Sequence, residues 1–205
     1  LKSPHVVQTL DFGVEEGAPY IAMELLQGED LGALLDRAGR LPPARAAAVF
    51  AQACKGVKAA PDAGVVHRDI KPSNIFLARM GDDEVVKILD FGVARQEEPS
   101  PGADRTASGV LVGTPLYMSP EQVACKKLDA RSDIYALGAT LYHMLTLSPP
   151  HSGGGDTAWA FQNVAIPPTA GVTDAIGQVL PWGLAKDPAA RFAMRRTASR
   201  LDSAT

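Results

Sequence analysis

The 205-residue sequence predicts an α+β fold with a small β start and a mostly helical body. Three observations carry that prediction. Short apolar runs broken by Gly and Pro open the chain, as strands do. Apolar residues spaced by three and four dominate its later part, as helices do. A composition of 46% hydrophobic and 21% charged residues is that of a chain that folds.

The elements follow in order. Residues 6–10 and 20–25 read as two strands of a hairpin broken by Gly13, Gly17 and Pro19. Residues 28–40 read as a short helix starting near Asp30, whose carboxylate can cap it. Pro42 and Pro43 open a longer helix, since the first turn needs no N–H donor there. Val49, Ala53 and Val57 recur along that helix every four residues, and Gly64 fits its end. Residues 65–66, 75–77 and 85–89 are β-type runs, the last two joined by a turn at Gly81, Asp82 and Asp83. Those acidic residues read as a solvated turn and not as a metal site. Residues 96–113 have no period and read as a long loop. Ile134, Leu137, Leu141 and Leu145 form the buried stripe of a further helix, and residues 148–173, dense in Gly and Pro, read as irregular. There is no internal repeat.

Composition removes several classes of function. A net charge of −3 and a pI near 5.8 do not suit a phosphate backbone, so no nucleic-acid partner is expected. No run approaches the roughly 18 apolar residues of a membrane span. Cys54 and Cys125 lie far apart without metal-ligand spacing and read as reduced thiols. Cytoplasm is therefore the expected compartment for this stretch, with any membrane anchor in sequence beyond it. Leu1 in place of Met, and the stop at Thr205 without a cap or turn, suggest a piece of a longer chain.

The chemistry concentrates in two runs. His67-Arg68-Asp69-Ile70-Lys71-Pro72-Ser73-Asn74 has the form H-R-D-x-x-x-x-N, and Asp90-Phe91-Gly92 follows the next β-type run. Four fixed residues at that spacing arise by chance in roughly one chain in several hundred. The second motif in its expected place makes coincidence a poor explanation. Phosphoryl transfer requires a carboxylate beside the attacking hydroxyl, which Asp69 supplies. It requires oxygen ligands for a hard cation, which Asn74 and Asp90 supply. It also requires a cation near the migrating group, and Lys71 lies two residues past Asp69. A buried Asp/Asn hydrogen-bond network without chemistry is the weaker alternative.

Over nearly all its length the chain resembles the catalytic domain of bacterial-type, eukaryotic-like Ser/Thr protein kinases. The resemblance implies a kinase-like fold: residues 1–26 as a remnant of the smaller lobe with the hinge, and 27–205 as the larger helical lobe, cut short at its end. It implies Met23 as gatekeeper, the backbone of Glu24 and Leu26 against adenine, Asp30 on the ribose and Phe76 as the adenine floor. ATP and Mg²⁺, with Mn²⁺ as an alternative, are the implied cofactors. Asp69, Lys71 and Asn74 are the implied catalytic residues, Lys71 and Asp90 also meeting the nucleotide, with Asn74 and Asp90 on the metal. Residues 113–121 resemble the acceptor-binding loop, with Ser119-Pro120-Glu121 in place of A-P-E. Residues 184–192 match the family's last motif, where Arg191 would pair with Glu121. Asp133 would hold the backbone of the loop carrying His67 and Arg68, with Phe91 and Gly92 in support. Thr114 and Lys71 favour Ser/Thr acceptors over Tyr. Thr106 and Ser108 are candidate phosphoacceptors in the activation segment, which Arg68 would hold once phosphorylated. Protein substrates, and dimerisation for autophosphorylation, complete the implied partners.

Departures from the family pattern set further expectations. No G-x-G-x-x-G-x-V loop, V-A-I-K lysine or partner Glu precedes Val6, so these 205 residues alone are expected to transfer phosphate poorly. Pro61 should end the Ala-rich helix early. His151, in the place of a core aromatic, should loosen its loop. Pro181-Trp182-Gly183 should interrupt the helix before Leu184. A catalytically silent kinase-like scaffold is the competing reading, and the full set of Asp69, Lys71, Asn74 and Asp90 argues against it. A small-molecule kinase ranks last, because those resemble H-G-D where this chain has Arg68.

Overall fold

The computed structural model describes residues 3–59, 65–91, 116–151 and 174–191. Strands β1 (Thr9–Glu15) and β2 (Ala18–Met23) form an antiparallel two-stranded sheet. β3 (Gly28–Asp30), β4 (Ile75–Met80) and β5 (Asp83–Ile88) form an antiparallel three-stranded sheet in that order. Helix α1 (Leu31–Ala38) follows β3 directly, and α2 is Pro43–Lys58. After the second sheet come α3 (Pro120–Val123), α4 (Ala130–Thr146) and α5 (Asp174–Gly183). The α+β class and the helical body are as the sequence predicts.

Local chemistry accounts for the starts and turns. Asp30 Oδ1 accepts the Ala33 N–H at 3.0 Å and caps α1. Pro43 stands in the first turn of α2, and the Ala46 N–H donates to Pro42 O at 3.0 Å. Gly28 takes φ 141°, and a Cβ there would lie 2.0 Å from Leu77 O, so only glycine admits the β3–β4 pairing. The side chain of Gln52 on α2 accepts from the Val86 N–H at 3.0 Å and donates to Glu84 O at 3.5 Å, covering the free edge of β5.

The core joins α1, α2, β4, β5, α4 and α5. α4 is buried on more than the predicted stripe: Ser132, Asp133, Tyr135, Ala136, Gly138 and Thr140 are buried as well. It runs between α2 and α5, and a helix packed on both sides must be small or apolar nearly all round. A Cβ on Gly138 would come within 3.2 Å of the Gly183 backbone, so two glycines mark the α4–α5 crossing.

Several expectations need correction. The first strand lies at Thr9–Glu15 rather than 6–10. Val6 instead bridges Ile88 in parallel, with the Val7 N–H on Ile88 O at 3.0 Å. The long-range edge of β5 outcompetes the local hairpin for this short apolar run. Residues 65–66 are not a strand. Pro181 does not break α5, because it falls in the last turn, where a single bond is forfeited and the Leu184 N–H still reaches Leu180 O at 2.9 Å. His151 is buried, with Nε2 3.2 Å from the Tyr135 hydroxyl, so the ring is a hydrogen-bonded core residue and not a loosened one. Burial, and Lys186 nearby, hold its pKa below 6.5, which favours the neutral ring. α2 ends at Lys58, while Pro61, Gly64 and the loop at 96–113 lie outside the described residues.

Candidate active site

The β4–β5 hairpin assembles the site from its open end. Asn74 directly precedes β4 and Leu89–Asp90 directly follow β5. The Leu89 N–H donates to Asn74 O at 2.9 Å, so the backbone itself brings the two predicted metal-binding positions to one end of the sheet. Asp90 holds φ 47° there, with an exposed side chain.

The loop before β4 is pinned from below. The buried carboxylate of Asp133 accepts the His67 N–H at 2.8 Å on Oδ2 and the Arg68 N–H at 2.9 Å on Oδ1. Burial pushes the Asp133 pKa above its ordinary value, against the pull of those two donors. Arg68 has φ 67°, a conformation that costs a non-glycine residue on the order of 1–3 kcal/mol, and the Asp133 clamp helps to hold it. His67 is fully buried. Its Nε2–H donates to Leu89 O at 2.7 Å while Nδ1 accepts the Asp69 N–H at 3.3 Å, an arrangement that requires the neutral tautomer protonated on Nε2. The ring edge meets Phe91 at 4.7 Å between centroids. One imidazole thus links Asp69 to the strand end that carries Asp90.

Asp69 itself faces solvent. Lys71 Nζ donates to its Oδ2 at 2.9 Å, and Asn74 Nδ2 donates to its backbone oxygen at 2.8 Å and to Oδ2 at 3.2 Å. With the Asn74 amide nitrogen committed to Asp69, Asn74 Oδ1 is the oxygen left for a cation. It and the Asp90 carboxylate are hard oxygen donors, the kind that divalent Mg²⁺ or Mn²⁺ takes. Ile70 is buried and anchors the middle of the loop.

The far wall comes from residues 116–122. Gln122 donates to Arg68 O at 2.7 Å and closes a capping box with Ser119. A cavity of about 20 Å³ lies among Arg68, Asp69, Ile70, Lys71, Tyr117, Met118, Gln122 and Ala136. The Tyr117 hydroxyl lies 2.6 Å from His143 Nδ1. Burial, with Asp36 adding to it, pushes the Tyr117 pKa up to about 12, so it stays a phenol. Arg191 pairs with Glu121 through two bonds of 2.6 and 2.9 Å.

The predicted nucleotide residues lie on the β2–β3 connection and on β3 and β4. Met23 is exposed and Leu26 half-buried on the connection between β2 and β3. Glu24 accepts from Lys87 Nζ at 2.6 Å and from the Gln8 N–H at 2.8 Å. Burial alone would raise the Glu24 pKa, but those donors outweigh it and hold the carboxyl below 4.5. Phe76 sits on β4 directly opposite Asp30 of β3. Gly92, Thr106, Ser108 and Thr114 lie outside the described residues. Sequence reasoning placed Tyr117 in the acceptor-binding loop but missed Lys87, Gln122 and His143 as site neighbours. A lone charge inside the apolar run Val85-Val86-Lys87-Ile88-Leu89 was the signal for the first.

The protein kinase domain family matches residues 1–200. A probable serine/threonine-protein kinase of Corynebacterium efficiens is 35% identical over 206 residues, covering 94% of this chain and 31% of its own. The serine/threonine-protein kinase PknB of Mycolicibacterium smegmatis is 37% identical over 202 residues, covering 94% and 32%. A probable PknB of Corynebacterium glutamicum is 38% identical over 194 residues, covering 89% and 29%. The chain thus spans about a third of the length of these relatives. No helix among the described residues is long and apolar enough to cross a membrane.

Proposed function

Because this chain belongs to the protein kinase domain family, in its bacterial serine/threonine form, we propose that it transfers the γ-phosphoryl group of ATP to Ser and Thr hydroxyls of proteins. The observation that carries the reading is the fixed placement of Asp69, Lys71 and Asn74 over a backbone clamped by Asp133. Asp69 accepts the proton of the acceptor hydroxyl as the hydroxyl oxygen attacks the γ-phosphorus, the bond from that phosphorus to the β–γ bridging oxygen breaks, and ADP leaves. Lys71, already at its carboxylate, offsets charge on the transferred group. Asn74 and Asp90 would hold Mg²⁺, which would supply positive charge to offset that of the phosphates. Glu24 and Leu26 present backbone to adenine over Phe76, and Asp30 meets the ribose. Residues 1–26 belong to the smaller lobe and carry the hinge, and 27–205 belong to the larger one. Thr106 and Ser108, beside Arg105 in sequence, are the phosphoacceptors of the activation segment, and phosphosite mapping after incubation with Mg-ATP tests them.

The experiment for the reaction is steady-state phosphorylation by the full-length protein with Mg-ATP and a Ser/Thr protein substrate. Asp69→Asn is expected to lower kcat by roughly 10²–10⁴-fold with nucleotide affinity near wild type. Asp90→Ala is expected to weaken metal-dependent nucleotide binding as well. Wild-type turnover in both variants would remove the assignment.

A further inference from the structure

Lys87 is a cation inside a strand whose neighbours Val86 and Ile88 are fully buried. Its side chain is 8% exposed and its Nζ lies 2.6 Å from Glu24 Oε1. Cross-strand register sets Lys87 opposite Phe76, and Phe76 opposite Asp30. Directly opposed residues of antiparallel strands project to the same face. Asp30, Phe76 and Lys87 therefore form one row across β3, β4 and β5, and the end of that row reaches Glu24. Glu24 is held twice more, since its Oε1 accepts the Gln8 N–H at 2.8 Å and its own N–H donates to Gln8 O at 2.9 Å. Residues 5–7 in turn bond to Ile88 on β5. These three contacts of Glu24 thus trace back to β5, the strand that Leu89 and Asp90 follow.

Removing an ammonium from water is costly, and an aliphatic residue would suit this strand position better for stability alone. What the ammonium adds is a fixed distance between the residue-24 backbone and the sheet row that carries Phe76 and Asp30. We infer that Lys87 is a positioning residue for the adenine nucleotide, acting through Glu24 to hold the β2–β3 connection over Phe76. The inference rests on the nucleotide reading proposed above. Lys87 touches no reacting atom. Its loss changes how the base is held and leaves the Asp69 chemistry intact.

The test uses the full-length protein, a fluorescent ADP analogue for direct binding, and steady-state kinetics. Lys87→Met is expected to weaken probe binding about tenfold and to raise the KM for ATP similarly, with kcat within about twofold of wild type. Amide hydrogen exchange should quicken at residues 24–26. Lys87→Arg should recover most of the affinity. Glu24→Ala should weaken probe binding as much as Lys87→Met does, and the double variant should be no weaker than either, because one interaction is being removed. Glu24→Ala decides the matter alone if Lys87→Met does not fold. Probe affinity within about twofold of wild type in Glu24→Ala, or in a folded Lys87→Met, would overturn the inference. If wild-type protein fails to bind the probe, the nucleotide reading falls and takes this inference with it.

Discussion

Arg191 and Glu121, seventy residues apart, form a fork-to-fork pair in which every N–H of the guanidinium is used. Nε donates to Ala185 O at 2.6 Å, Nη1 to Glu121 Oε1 at 2.6 Å and Arg131 O at 3.0 Å, and Nη2 to Glu121 Oε2 at 2.9 Å and Lys186 O at 3.1 Å. The Arg191 side chain is fully buried, its guanidinium lies 5.0 Å from the Tyr135 ring centre, and Ser132 donates to Glu121 Oε1 at 2.7 Å. The pair ties the wall that carries Tyr117 and Gln122 to the segment after α5. Lysine has three donors and no planar fork, so it cannot replace these bonds. Arg191→Met, which strands a buried carboxylate, is expected to cost about 3–5 kcal/mol, and Arg191→Lys a large part of that. Urea unfolding measures both. A Lys variant as stable as wild type would show that the fork geometry is dispensable.

The same pair sets an acid limit. Burial works to raise the Glu121 pKa, but the bonds from Arg191 and Ser132 prevail and hold it below its ordinary 4.5. A carboxyl depressed on folding contributes stability that is present above its unfolded value and is lost as pH falls through its folded value. The stability difference between wild type and Glu121→Gln should therefore be constant above about pH 5 and shrink as pH drops below 4.5. Urea midpoints at a series of pH values test this. A difference that stays constant down to the acid transition would contradict it.

Two glycines inside helices should respond in opposite directions to alanine. A Cβ on Gly56 of α2 would lie 2.4 Å from His5 O and 2.7 Å from Ile88 Cγ1, so the backbone of residues 5–7 would have to leave β5. Gly56→Ala is expected to cost about 1–3 kcal/mol or more. Among the described residues Gly177 of α5 has nothing within 4 Å of the same position, and Ala there should gain about 0.5–1 kcal/mol from helix propensity. Thermal or urea unfolding of the two variants gives the signs directly. A stable Gly56→Ala would mean that the 5–7 segment is not seated on α2.

The loop from His67 to Asn74, proposed as catalytic, was legible in sequence because its parts lie within eight positions. The bonds of Asn74 to Asp69, and of Lys71 to Asp69, are local consequences of the spacing. The β4–β5 hairpin and the proline start of α2 were legible for the same reason, since turn and cap chemistry act over a few residues. Asp133 and Arg191 were assigned from resemblance, and no spacing would have placed them. The Val6 bridge to Ile88 and the Lys87 bond to Glu24 span more than sixty positions, and only the folded sheet decides which edge a short apolar run occupies. Pro181 misled because the cost of a proline depends on where the helix ends, and α5 ends two residues later, so one bond alone is forfeited.

Asp133 offers the most direct test of how the loop geometry serves the chemistry. Its two oxygens each take one backbone N–H, of His67 and of Arg68, in a buried setting. Asparagine keeps the shape but turns an NH₂ toward one of those donors, leaving a buried N–H unsatisfied at about 1–3 kcal/mol. Arg68, with φ 67°, then loses a restraint, and relaxation there shifts the adjoining Asp69. Asp133→Asn in the full-length protein is expected to lower kcat by at least about tenfold with the KM for ATP little changed, because the Asp133 oxygens bond the His67 and Arg68 backbone and not the residues proposed for adenine. Asp133→Ala, which strands both donors, should be less stable than Asp133→Asn and no more active. Kinetics and urea unfolding of the two variants separate these effects. Wild-type kcat in Asp133→Asn would show that Asp69 is positioned without the clamp, and the assignment of Asp133 would fail.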